Sequence, residues 1–123
     1  MSVRFAGYAA VFDRVDRGGD VVRAGAFGAP GAVPLLWQHG GPPVGAVERV
    51  EEDARGLRVI GRIDEARLAE MVRAGAVDGL SFGYRVRGAK HGRVRELTAL
   101  ELVEVSLVVQ PMQPLARVHA VAE

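Results

Sequence analysis

Between Val94 and Val109 the chain carries the run ALELVEVSLVV, which is apolar at odd and even positions alike. Side chains alternate sides along a strand, so a run of this kind fits a strand buried on both faces. Glu104 interrupts it, on the face that regular alternation assigns to Leu100, Leu102 and Val108. A buried carboxylate without a partner is costly, so Glu104 must meet a proton donor, pair with an arginine, or reach water where the strand bends. Ser106 lies on the same face among bulky neighbours and reads as packing, although it is a rival nucleophile.

Most of the remaining pattern is also of strand type. VRFAGYAAVF (Val3–Phe12) reads as a first strand, followed by the turn-rich loop DRVDRGGD. VPLLWQH (Val33–His39) reads as a second strand, stopped by GGPP. VGAVERVEED, ARG and LRVIGRID read as a hairpin, with a bulge in the first arm because Val47 and Val50 fall on different faces. EARLAEMVRAG (Glu65–Gly75) sets Leu68, Met71 and Val72 at helical spacing and ends on glycine. It is the one convincing helix. The strand DGLSFGYRV, the turn AKHGR and the long run closed by QPMQP complete the chain. One helix among about seven strands predicts a mainly β (α+β) fold built on a closed β-barrel. A length of 123 residues fits a single domain, 1–123, with the residues after about 117 as a short C-terminal tail.

Composition excludes several function classes. Lys plus Arg is 16 against 15 for Asp plus Glu, so no basic field points to nucleic acid or to a membrane surface. There is no cysteine, hence no disulfide, no thiolate nucleophile and no cysteine-ligated zinc. No run approaches roughly 18 uninterrupted apolar residues, and the patch FAGYAAVF is too short for a cleaved signal peptide, so a cytosolic chain is expected. The three histidines lack metal-like spacing, and DRVDRGGD lacks the alternation of an EF-hand loop. Neither metal nor cofactor is expected.

Three positions carry chemistry. His39 ends its expected strand on the face of Leu35 and Trp37, beside a rigid loop; the bland alternative is an exposed loop-edge histidine. Ser81 shares a strand face with Gly83, and an interior glycine leaves room there for a peptide backbone to approach. With Glu104 these form a set with three jobs: a serine nucleophile, an imidazole base, and a carboxylate that orients the base and stabilises its cation. His91 and His119 fall in a turn and near the C-terminus and read as solvated. The order His, Ser, acid and the absence of G-x-S-x-G exclude chymotrypsin-like, subtilisin-like and α/β-hydrolase folds.

GYAAVFDRVDRGGDVVRAGAF, LLWQH, ARGLRVIGRI, DGLSFGYRV and ELVEVSLVVQPMQP occur in that order from Gly7 to about Arg117. Together they resemble the prohead proteases of tailed bacteriophages, which also occur in prophages and gene-transfer agents and are related to herpesvirus assemblins. The resemblance implies an assemblin-like barrel with short peripheral helical turns, and a serine endopeptidase that trims capsid or scaffold protein. It implies Ser81 as nucleophile, His39 as general base, Glu104 in the place of the assemblins' second histidine, and Gly83 in the substrate groove. The implied substrate is the N-terminal scaffold segment of the major capsid protein. The implied location is the immature capsid in the cytoplasm of the bacterial host; if the active form is a weak homodimer, high local concentration inside the shell would time its activity by mass action. The sequence departs from the family at Phe82, where Ile or Val is usual, and offers no alignable arginine near the expected oxyanion site. A catalytically silent barrel serving in assembly or scaffolding is the alternative.

Overall fold

A computed structural model describes residues 2–123. The apolar run forms β7 (Arg95–Val108), and consecutive residues from Glu104 to Val108 are all buried, as a strand covered on both faces requires. Along one edge, β6 (Gly79–His91) runs antiparallel from Gly79 opposite Val108 to His91 opposite Arg95. Two short parallel strands therefore share the other edge. These are β2 (Asp20–Val22) against Arg95–Leu97 and β3 (Pro34–Trp37) against Val105–Leu107. Between them, the Arg23 N–H donates to Leu97 O and the Leu100 N–H to Ala26 O, so the link follows the same edge. From β3 the sheet continues antiparallel through β4 (Gly40–Glu52), β5 (Gly56–Ile63), β1 (Val3–Val11) and β8 (Val118–Ala122).

The closed barrel expected from the sequence is not what forms. Seven of the eight strands make one open path from β2 to β8 with β6 branching from β7, and β6 meets the chain just before β8 at an isolated bridge between Gly79 and Arg117. Backbone bonds from Leu80 N to Ala116 O and from Val118 N to Asp78 O reinforce that seam. The segment supplying it contains Pro111 and Pro114, which have no N–H to give to a ladder. Residues 118–122, expected to trail as a tail, are β8 and pair with β1.

Two further expectations change for local reasons. GGPP does not stop a strand: Pro42 and Pro43 lie inside β4, where register jumps from Trp37–Gly40 to Leu35–Gly45. That irregular stretch is where a strand tolerates residues without N–H donors. AKHGR is not the turn either; β6 runs on to His91 and the chain reverses over residues 92–94. The expected bulge in the first arm of the β4–β5 hairpin is present, between Val47 and Arg49.

The helix α1 (Ala66–Arg73) is the only one among the described residues; outside it, single hydrogen-bonded turns close at Ala26 on Arg23, Gly28 on Gly25 and Ala116 on Gln113. Glu65 caps it, accepting from the Arg67 and Leu68 N–H groups, and Gly75 leaves it at φ 79°. Its Leu68, Ala69 and Val72 are buried, while Met71 is partly exposed. The core they join includes Leu35, Leu57, Val59, Ile63, Leu80, Val105 and Leu107, all fully buried. No helix among the described residues is long and apolar enough to cross a membrane.

Asp20 and Arg95 are register partners of β2 and β7, and their side chains meet twice, at 2.8 and 2.7 Å. The hydrogen bond from Arg95 is the main reason the Asp20 carboxyl lies below its ordinary value of 3.8. A lowered value in the fold means a stabilising contribution that is complete above 3.8 and fades as pH falls through the folded value below it. Asp20→Asn is therefore less stable than the parent at neutral pH, and the two converge in acid. Urea unfolding of both proteins as a function of pH reads the difference.

Candidate active site

Ser81 of β6 is register partner to Ser106 of β7, which on its other side faces Leu36 of β3. Two residues along, Gly83 faces Glu104. Cross-strand partners project to the same side of a sheet, so Ser81, Ser106, Leu36, Gly83 and Glu104 share one face. Immediately beyond, Tyr84 is paired with Leu102 rather than with Val103. This bulge resets the alternation and moves Leu102 away from the Glu104 face, where regular spacing had put it.

His39 reaches this face from a turn. The chain reverses from Trp37 to Gly40 through Gln38 and His39, both at positive φ, 52° and 62°. Positive φ at both central residues is the signature of a type I′ hairpin turn, usually built from Asn-Gly. For residues with a Cβ that conformation costs roughly 1–2 kcal/mol each, so something must hold it. The next strand does. The Gln38 N–H donates to Leu107 O at 2.9 Å, the Val109 N–H donates to Gln38 Oε1 at 2.8 Å, and the His39 N–H donates to Ser106 Oγ at 3.1 Å. The turn carries the His39 ring over the face of Leu36, not that of Leu35 and Trp37.

There the ring Nδ1 meets Glu104 Oε1, and Glu104 Oε2 accepts a 2.6 Å hydrogen bond from the Ser106 hydroxyl. The Glu104 side chain is only 9% exposed and that of His39 is 44% exposed, so the carboxylate is enclosed while the imidazole opens outward. Of the alternatives open for Glu104, the proton donor is realised: the carboxylate is buried rather than exposed by a bend, and among the described residues it meets His39 and Ser106 rather than an arginine. With Nδ1 committed to the carboxylate, Nε2 is the nitrogen left for proton exchange with a substrate or a hydroxyl. His39 and Ser81 both line a pocket of about 130 Å³, whose walls include Ala9, Leu80, Phe82, Tyr84 and Gln113. Gln113 ties the C-terminal segment to β1, accepting from the Val11 N–H at 2.5 Å and donating to Val11 O at 2.6 Å. His91 and His119 are exposed and take no part.

Two readings of this face need revision. Ser106 is not inert packing: its buried hydroxyl both donates and accepts within the site. The space beside Gly83, expected to receive substrate, is filled by Glu104. A Cβ on Gly83 would lie 2.5 Å from Glu104 Oε1 and 2.9 Å from its Cγ. Gly83→Ala must therefore displace the carboxylate from His39. Its expected effect is a loss of activity by at least about 10-fold with the fold retained, read as turnover per folded molecule beside a thermal melt.

The chain matches the family model of caudovirus prohead serine proteases over residues 1–123. The prohead protease of Enterobacteria phage HK97 is 34% identical over 94 residues, which cover 67% of this chain and 42% of that protein. Among solved structures, a KSHV protease aligns over 100% of this chain and 62% of its own, with TM-score 0.59 and 15% identity. The crystal structure of KSHV protease in complex with a hexapeptide phosphonate inhibitor aligns over 88% of this chain and 60% of its own, with TM-score 0.53 and 14% identity. At such identity the likeness is one of fold. The chain spans less than half the length of the curated relative. With the family match running the length of a sheet that brings His39, Ser81 and Glu104 to one face, the chain belongs to the caudovirus prohead serine protease family.

Proposed function

We propose that this chain is a serine endopeptidase with Ser81 as nucleophile, His39 as general base and Glu104 as the group that orients the base. The contact between His39 Nδ1 and the buried Glu104 carboxylate, with Ser81 in the wall of the pocket that His39 also lines, carries the reading. In the reaction His39 Nε2 takes the Ser81 proton as Oγ attacks the peptide carbonyl. The carboxylate holds the tautomer that this requires and stabilises the imidazolium that forms. The same proton then goes to the leaving amine, and water repeats the sequence to release the acyl group.

The substrate we assign is a capsid or scaffold protein, specifically the N-terminal scaffold segment of the major capsid protein, cut inside the immature capsid in the bacterial cytoplasm. Family membership supports this assignment. A weak homodimer as active form would confine cleavage to the shell, because confinement raises concentration and favours association by mass action.

A serine-directed phosphonate or fluorophosphate probe, followed by peptide mapping, tests the nucleophile, with labelling expected at Ser81. Ser81→Ala should lower cleavage of co-expressed capsid protein by about 10⁴- to 10⁶-fold and leave the melting temperature nearly unchanged. Processing that continues in that variant would overturn the assignment.

Glu104 and Glu101 form an internal control. Glu101 is partly exposed on the same strand and paired with Arg87, whose hydrogen bond holds its carboxyl below the usual range. Glu104→Gln should cut the turnover rate about 10³- to 10⁴-fold with little change in substrate affinity. Glu101→Gln should leave turnover intact. Steady-state kinetics on both variants separate an orienting carboxylate from a structural one.

A further inference from the structure

We infer that Ser106 is a positioning residue, whose buried hydroxyl sets the backbone and the carboxylate that together aim His39. The inference rests on the assignment of Ser81, His39 and Glu104 made above. Ser106 is fully buried, with 0% exposure, so it is no nucleophile. Its oxygen accepts the His39 N–H at 3.1 Å, and its proton goes to Glu104 Oε2 at 2.6 Å. One hydroxyl thus grips His39 at the main chain and, through Glu104, at the ring.

Both ends of that grip are needed. His39 sits at φ 62°, a backbone state that a residue with a Cβ leaves readily unless its N–H is held. The Glu104 carboxylate has two oxygens, and with one on the ring the other must be bonded to keep the group from rotating. Ser106 lies between Leu36 of β3 and Ser81 of β6 in the ladder, so the sheet fixes its position relative to the proposed nucleophile. Serine suits the place by size and by carrying donor and acceptor in one atom. Alanine there would strand the His39 N–H and one carboxylate oxygen at once.

The test compares the full-length chain with Ser106→Ala and Ser106→Cys. Diisopropyl fluorophosphate serves as the probe, scored by the second-order rate of labelling at Ser81 per folded molecule. In parallel, proton NMR follows the downfield Nδ1–H signal of His39. Ser106→Ala should be labelled about 10- to 100-fold more slowly, as expected for loss of a hydrogen bond to a charged group, and its imidazole signal should shift or broaden. Ser106→Cys, which keeps a weak donor, should fall between. Labelling of folded Ser106→Ala at the parent rate overturns the inference, as does slow labelling with the His39 signal unchanged. If the alanine variant does not fold, a cysteine variant labelled at the parent rate overturns it equally. A parent chain left unlabelled, with a normal His39 signal, overturns the Ser81 assignment on which the inference rests.

Discussion

A carboxylate enclosed in a strand that is paired on both edges has to be partnered, and much of this site is shaped by how Glu104 is satisfied. Leaving it unpaired would cost several kcal/mol, a large share of what a domain of this size has to spare. Glycine opposite it at position 83 makes room for its side chain. Serine two residues on donates to one of its oxygens, and a histidine from the neighbouring hairpin meets the other. Without the carboxylate the gap at Gly83 would have no side chain to admit, and Ser106 would keep only its contact with the His39 N–H.

The strand that carries Glu104 is also the strand around which the sheet is organised. β7 holds β6 on one edge and both β2 and β3 on the other, so Ser81 and Glu104 sit on adjacent strands and the turn after β3 brings His39 to a carboxylate 65 positions away in the chain. The bulge beside Glu104 lets Leu102 turn from the polar face. Without it, the aliphatic residues needed for packing would crowd the carboxylate. Strain in the Gln38–His39 turn is accommodated in the same way, through hydrogen bonds to Leu107, Val109 and Ser106 that only a long, rigid neighbour can offer. Backbone strain held by surrounding structure is common where chemistry is done.

Charge elsewhere is peripheral. Pairs such as Arg62–Asp64, Arg73–Glu70 and Arg87–Glu101 lie at the surface, where solvent and salt screen them. The Asp20–Arg95 pair is more enclosed on its acidic side and joins β2 to β7 near the pocket that Asp20 also lines. Its Asp20 oxygen additionally lies 3.5 Å from the hydroxyl of Tyr84, which lines the same pocket as Ser81 and His39.

The sequence by itself determined the elements whose cause is local. Two-residue alternation marks β1, β5 and β6, an unbroken apolar run marks β7, helical spacing ending at Gly75 marks α1, and the mismatch of Val47 with Val50 marks the β4 bulge. It also marked His39, Ser81 and Glu104 as unusual, since a polar group in apolar surroundings stands out in one dimension. Tertiary structure decided what depends on distant partners. Gln-His does not announce a type I′ turn, because the hydrogen bonds that hold it come from β7. Period-two counting cannot see the bulge at Val103, because one unpaired residue is defined only against the facing strand. Ser106 looks like filler in the chain because its acceptor role involves an N–H 67 residues away. Whether the sheet closes depends on how β6 meets the chain before β8, at Gly79 and Arg117, and hydrophobic pattern carries no information about that meeting. Residue type tells which groups need a partner; only the folded ladder supplies the partner.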